Sequence, residues 1–492
     1  MNSSWISLYA GEGERLHDEE GPFGSLLSRG QAFRIMEGGA RFDLVVFGCG
    51  LSGVGVAREA ALLGAQVLLI DPGYPGAHAC SWRESIVREM CRSPWSLVRS
   101  ARSLRHAVQS LAPHLAVARR CDLSGCRGVG ARLALRSLRT IASSLSKGGS
   151  VADIPDIEER SLIRELALAA RQEGVFVVGA TSPAYVERDV VSGTFRVAVR
   201  DLLSDQQVVV QGGGLFVDPT FTHPLASRIG TPITRLAQEG PPHLIVVCSV
   251  RERGELEVVR YFDLSNGSIG VVCELRPGVV EVSLLDVGMM ADASSVGDIV
   301  RQLCEASGYV FVDEISRRRA GRRYGTRVAV ENRRGILVPQ ESSPWKIETV
   351  LGRTMRFIES DGSERRVRRE LPGEWRSGER EEFIEMARRA GVSESTISLV
   401  IERWRGRVRY LSEIERSCEE VCPGVLRGEI ALAVISDQVA SLEDLLFGSL
   451  GLHTIPGWRA MVAPIAAALA ETGAVASETL DLERVSAAML AG

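Results

Sequence analysis

The stretch from Leu44 to Asp71, LVVFGCGLSGVGVAREAALLGAQVLLID, constrains the chain more than any other. An apolar run leads into a glycine turn, a helical pattern and a second apolar run closed by an acid, which is the order of a βαβ unit. Gly48, Gly50 and Gly53 make G-x-G-x-x-G. The first glycine lets the chain turn sharply out of the strand. The second admits a pyrophosphate close to the backbone, and the third lets helix pack on strand. Gly50, Leu51, Ser52 and Gly53 then open a helix whose free N–H groups and partial positive charge face the phosphates. Asp71 falls about 20 residues beyond the glycines, where a carboxylate accepts hydrogen bonds from a ribose diol. The expectation is a dinucleotide site; the motif alone does not separate FAD from NAD.

A chain of 492 residues exceeds one ordinary core, so two or three domains are expected. Its 45% hydrophobic and 24% charged content is that of a folded soluble protein, and a net charge of −4 supplies no basic field for nucleic acid. No segment reaches the ~18 uninterrupted apolar residues of a membrane span, and no basic-then-apolar leader opens the chain. Ten cysteines are scattered, several inside apolar runs (Cys49, Cys248, Cys273), which suits buried thiols in a reducing cytoplasm. Cys121/Cys126 and Cys418/Cys422 are close pairs without a second pair at zinc or iron–sulfur spacing, so no metal is expected.

In chain order, residues 1–40 are rich in Gly, Ser and acids and are expected to pack loosely or not at all. After the βαβ unit the pattern predicts a helical region from about Arg83 to Val117, a helix over Ser161–Arg171 and a strand over Gly174–Tyr185. An antiparallel ribbon is expected over Phe195–Arg200 and Gln207–Val210, with one more strand at Leu215–Val217. Between His243 and Leu285 the runs LIVVCSV, LEVVRYF, SIGVVCEL and VVEVSLL predict an antiparallel sheet, followed by a helix near Ser295–Ser307 and strands from Val310. Leu371-Pro372-Gly373 punctuates the chain, and the remainder reads as all-helical. Ser377 and Ser393 are candidate N-caps, Pro423 a candidate helix start, and Ser441 with Asp444 a capping box.

With these residues in view, the chain resembles the FAD-dependent glycerol-3-phosphate dehydrogenase family. The likeness lies in DLVVFGCGLSGVGVAREAALLGAQVLLID from Asp43, in Ala112-Pro113-His114-Leu115 (the family's A-P-H-L), in His243-Leu244-Ile245-Val246-Val247 (its H-[LI]-V-V strand), in Leu371-Pro372-Gly373 and in the helical run from Arg427 to Gly448. The resemblance implies a discontinuous Rossmann-like FAD-binding α/β domain (41–220 and 321–370) after an extension over 1–40. It adds an antiparallel β substrate domain (221–320) and a C-terminal all-α domain (371–492). It implies oxidation of sn-glycerol 3-phosphate to dihydroxyacetone phosphate by hydride transfer to flavin, with electrons passed to a quinone or another acceptor. His243 stands at the family's active-site histidine. Arg92, Arg323, Arg333 and Arg353 match family positions that take the substrate phosphate, Arg323 also being catalytic, and Gly352 lies in the match to G-G-K.

Departures from the family also stand in the sequence. Cys80-Ser81-Trp82-Arg83-Glu84-Ser85 and Arg88-Glu89-Met90 replace its S-S-K and H-G-G, and Asp218-Pro219-Thr220-Phe221 replaces its A-T-G-P-W. All but two of the 58 basic side chains are arginine, Lys147 and Lys346 being the lysines, so arginine matches carry less information than usual. Two other readings stay open: a related FAD-dependent oxidoreductase of another hydroxy or amino acid, and a non-catalytic flavin-binding subunit. The expected setting is cytoplasmic, or peripheral on the inner face of the membrane, as a homo-oligomer or with a partner subunit.

Overall fold

The structure, a computed structural model, describes residues 26, 29–76, 112–125, 153–157, 159–189, 191–218, 221, 239–251, 258–264, 269–285, 293–323, 330–333, 336–339, 371–414 and 416–472. The helical region expected over 83–117 lies largely outside them. At its end the chain forms a 3-10 turn, Pro113–Leu115, and then a strand, β3 (Ala116–Gly125).

The βαβ unit forms as its pattern predicts. Strands β1 (Arg41–Phe47) and β2 (Val67–Ile70) run parallel, joined by helix α2 (Leu51–Leu62). Both strands are buried on two faces, so their apolar runs are nearly continuous. Leu44, Val46, Val67 and Leu69 face α2 and helix α3 (Glu159–Gln172); Val45, Phe47, Leu68 and Ile70 face the opposite core. Helix α2 is buried all round. Small residues at Gly53, Gly55, Ala57, Ala60 and Ala61 allow this, and its one cation, Arg58, forks onto Glu173 at 2.8 and 3.0 Å.

The ribbon and the later strand expected over 195–217 differ in one respect. They are β7 (Phe195–Asp201) and a single unbroken strand, β8 (Gln207–Val217). Its first half pairs antiparallel with β7, and from Gln211 to Val217 it runs parallel to β1. The stretch expected as one strand over 174–185 is two, β5 (Phe176–Val178) and β6 (Thr181–Arg188), broken where Ala180 takes a positive φ of 49°. Strands β14 (Val330–Arg333) and β15 (Ile336–Pro339) extend the first sheet on the far side of β8, giving the order β14-β15-β8-β1-β2-β5, with β7 attached to β8 and β6 to β7. Residues expected to pack loosely include a helix, α1 (Arg29–Glu37), that buries Phe33 and Met36 in the same core. Arg29 holds it down, pairing with Asp201 at 2.7 Å and donating to the Gly179 and Ala180 carbonyls.

The second sheet has the order β13-β9-β12-β11-β10-β3-β4. Here β9 is Glu239–Arg251, β10 Val258–Asp263, β11 Ile269–Arg276, β12 Val279–Leu285, β13 Val310–Arg323 and β4 Asp153–Ile157. All neighbours are antiparallel except β10 and β3. One face is covered by helix α4 (Ala293–Ala306) through Val296, Val300 and Leu303, while Val259, Tyr261, Val271 and Cys273 on the other face continue the core around α2.

Among the described residues the C-terminal part is helical apart from a short hairpin. Helix α5 (Glu379–Arg389) is preceded by Gly378 in the left-handed region rather than capped by Ser377, whereas Ser393 does cap α6 (Glu394–Trp404) through the Thr396 amide. Pro423 sits in the turn of a short hairpin, Glu420–Cys422 with Val425–Leu426, and helix α7 (Arg427–Leu432) begins after it, Glu429 accepting from the Leu426 amide at 2.7 Å. Wide π-type turns follow at Ala433–Asp437 and Asp444–Ser449, then helix α8 (Val462–Glu471). Among the described residues no helix is long and apolar enough to cross a membrane.

Ser441 accepts from the Asp444 amide at 3.1 Å, the cap its spacing predicts. Burial pushes the Asp444 carboxyl up to about 6, against the downward pull of the Ser441 and Ala440 hydrogen bonds. A carboxyl raised on folding contributes stability below its unfolded value of about 3.9, and that contribution is lost as pH rises through the folded value. Asp444→Asn is therefore expected to stabilise the protein by about 2 kcal/mol at pH 8 and to have no such effect at pH 4. Thermal melts at the two pH values check this, and equal shifts at both would refute it.

Candidate functional site

The first turn after β1 is built around contacts that only glycine permits. Gly48 has φ +103°, and a Cβ there would lie 2.7 Å from the Asp218 Cβ and 3.1 Å from that of Phe221. A Cβ on Gly53 would lie 2.0 Å from the Gly48 carbonyl oxygen, so the first turn of α2 rests directly on the glycine loop. Gly50 precedes α2 with ordinary extended dihedrals (φ −75°, ψ 178°) and provides no side-chain cap; its carbonyl takes the Val54 amide at 3.0 Å. Leu51 and Ser52 form the first two helical positions, both buried.

Asp71 closes β2 and is 2% exposed. Its Oδ2 accepts from the Cys49 amide and its Oδ1 from the Gly73 amide, both at 2.7 Å. The acid assigned by spacing to a ribose diol thus also ties the glycine turn to the loop after β2. That loop is held from the C-terminal part: a Cβ on Gly448 would meet the Tyr74 ring at 2.4 Å.

A second acid reaches the same turn. Asp218 follows β8, is 1% exposed, and its Oδ2 accepts from the Gly53 amide at 2.5 Å. Burial first, then the Asp71 and Asp218 carboxylates, hold the Cys49 thiol well above its ordinary value, so it stays protonated and is no nucleophile. Sequence reasoning did not give Asp218 a role. Its signal was the replacement of A-T-G-P-W by an acid-bearing stretch, and its position depends on the pairing of β8 with β1.

The remaining predicted residues fall in two places. His243 on β9 is opposite Ala320 on β13, and Arg323 on β13 is opposite Glu239 on β9, so backbone pairing brings His243 and Arg323 onto neighbouring strands of the second sheet. Arg333 ends β14 at the outer edge of the first sheet, opposite Ile336. Arg92, Gly352 and Arg353 lie outside the described residues, as does the stretch from Cys80 to Met90.

The turn fits the adenosine and pyrophosphate end of a dinucleotide in its covalent design, because the two positions where a Cβ would intrude are both glycine. The Asp218 side chain shares that helix terminus through its bond from the Gly53 amide.

No family model matches the chain, and no curated protein matches it in sequence. Solved structures do match in shape. A glycerol-3-phosphate dehydrogenase from Bacillus halodurans, complexed with FAD, superposes with a TM-score of 0.65 over 94% of this chain and 97% of its own, at 14% identity. Weaker likenesses include a glycine oxidase from Geobacillus kaustophilus (TM-score 0.45, 12% identity, 66% of this chain and 99% of its own). An L-alpha-glycerophosphate oxidase from Mycoplasma pneumoniae matches similarly (TM-score 0.44, 12% identity, 67% of this chain and 98% of its own). Over 94% of its length the chain thus shares the fold of the Bacillus halodurans glycerol-3-phosphate dehydrogenase.

Proposed function

We propose that the protein is an FAD-dependent oxidoreductase that converts sn-glycerol 3-phosphate to dihydroxyacetone phosphate and passes the electrons to a quinone or another acceptor. The observation that carries this reading is the glycine turn with Asp71 behind it, set in a chain whose fold is similar to that of a glycerol-3-phosphate dehydrogenase over 94% of its length. Gly48, Gly50, Leu51, Ser52 and Gly53 hold the pyrophosphate and Asp71 the ribose. Bound flavin would supply the hydride acceptor.

Oxidising a secondary alcohol also requires that the hydroxyl proton leave as the C–H bond breaks. His243 takes that proton or orients the hydroxyl. Arg323 stands on the neighbouring strand, so a guanidinium for the phosphate comes from the same sheet as the histidine. Arg92, Arg333 and Arg353 complete the proposed phosphate contacts.

The test is the visible spectrum of the purified protein, reconstituted with FAD, before and after anaerobic glycerol 3-phosphate. Flavin bands that bleach are expected. In His243→Ala the bands should persist while bleaching slows by about 10²–10⁴-fold. Bleaching at an unchanged rate would remove the role of His243, bands that glycerol 3-phosphate leaves intact would remove the substrate, and a protein that binds no flavin would overturn the whole reading.

A further inference from the structure

The dinucleotide reading makes the N-terminus of α2 the seat of a pyrophosphate, yet an anion from the chain itself already stands there. Asp218 Oδ2 receives the Gly53 amide, the third of the helix, at 2.5 Å, in a position 1% exposed to solvent. A carboxylate at a helix N-terminus is stabilised by the helix dipole and by the amides that lack intrahelical partners, the same two features that attract phosphate. The acid is firmly placed. Its own amide donates to the Phe47 carbonyl at 2.7 Å, its carbonyl accepts from Phe221, and its Cβ lies against Gly48. Asp71, on the other side of the turn, takes the Cys49 amide. The glycine loop is therefore bracketed by two buried acidic side chains.

We infer that Asp218 is a built-in anion that satisfies the N-terminus of α2 in the nucleotide-free protein and sets the affinity of the site by opposing the charge of an incoming pyrophosphate. The inference rests on the dinucleotide reading above and adds a determinant to it. Two anions at one helix terminus repel, and in a site with little water that repulsion is weakly screened. The chain accordingly keeps its glycine loop ordered without cofactor and binds the diphosphate less tightly than an otherwise equal loop with a neutral residue at 218.

Titration of FAD into the full-length protein, followed by quenching of flavin fluorescence, tests this with wild type and Asp218→Asn, which keeps an oxygen for the Gly53 amide but removes the charge. The expected result is binding about tenfold tighter in Asp218→Asn, with a lower melting temperature than wild type when no nucleotide is present. FAD bound by both proteins with Asp218→Asn no tighter overturns the inference and leaves the flavoprotein reading standing. Binding by neither overturns both, because removing the charge should restore binding. If Asp218→Asn does not fold, wild type alone decides through the displacement of FAD by adenosine and by ADP. Near-equal affinities are expected, and ADP binding tenfold or more tightly than adenosine would overturn the inference.

Discussion

Gly53→Ala is expected to cost about 3 kcal/mol or more and to lower the melting temperature well beyond the effect of any glycine replaced at the surface. The added methyl would sit 2.0 Å from the Gly48 carbonyl oxygen and 3.1 Å from its carbon. Both are backbone atoms, held by the Gly48 amide bonding to Ile70 at 2.9 Å and by β1 lying between β2 and β8. Relief would require lifting α2 from the turn, which breaks the Gly53–Asp218 hydrogen bond and opens the core on that side of the sheet. Gly64→Ala is the matched control. Gly64 has φ +91° but nothing within 4 Å of its Cβ position, so only the backbone penalty of about 1 kcal/mol applies. Thermal melts of the two variants check the difference; if Gly53→Ala melts no lower than Gly64→Ala, the close approach of helix and turn does not constrain position 53.

A loss of about 3–5 kcal/mol is expected for Asp437→Asn, from a different cause. Asp437 is fully buried between the guanidinium groups of Arg164 on α3, at 3.2 Å, and Arg407 in the 3-10 segment after α6, and accepts from Ser449 at 2.8 Å. Burial works to raise its carboxyl, but Arg407 and Arg164 outweigh burial and hold it below the ordinary carboxylate value. Removing the charge leaves two buried cations facing one another without their shared partner. A carboxyl lowered on folding contributes stability above its unfolded value of about 3.9 and loses it as pH falls through the folded value. The gap between wild type and Asp437→Asn should therefore be complete at pH 7 and shrink once pH falls below about 4. Melts at pH 7 and pH 3 measure it, and a gap of constant size would show that packing, not charge, is what the substitution removed.

What the sequence disclosed and what it hid follow from the range of the interactions involved. The βαβ unit was legible because strand, turn and helix are specified by neighbours, and the antiparallel runs from His243 to Leu285 by their own turns. The continuity of β8 was not. Gly212-Gly213-Gly214 reads as a break, but these glycines let the strand lie close on β1: a Cβ on Gly212 would be 2.8 Å from the Val45 Cγ2, and one on Gly213 3.0 Å from the Asp43 oxygen. Ala180 interrupts a strand pattern because Gly179 must pass beneath the Gly73 carbonyl, 2.9 Å from where its Cβ would be. Helix α1 is a short amphipathic segment between glycines, and only the cavity it fills beside Phe42 and Val210 fixes it as a helix. In the candidate site the glycines and Asp71 were visible by spacing. Asp218 was not, since its place at α2 is created by the parallel pairing of strands whose partners lie 170 residues apart.

The joint between α3 and the C-terminal helices is made chiefly through main-chain carbonyls. Arg171 donates to Ile435 and Ser436, Arg164 to Gly448 and Ser449, and Arg160 to Phe447, while Gln438 returns the contact by pairing with the Gly179 amide and the Val177 carbonyl. A carbonyl offers the same acceptor whatever side chain its residue bears. Apart from Asp437, whose carboxylate pairs with Arg164, residues of the two π-type turns can therefore change without severing this seam, provided the path of the backbone survives. A docking scheme written in the main chain can keep the arrangement of its parts long after most of its letters have changed.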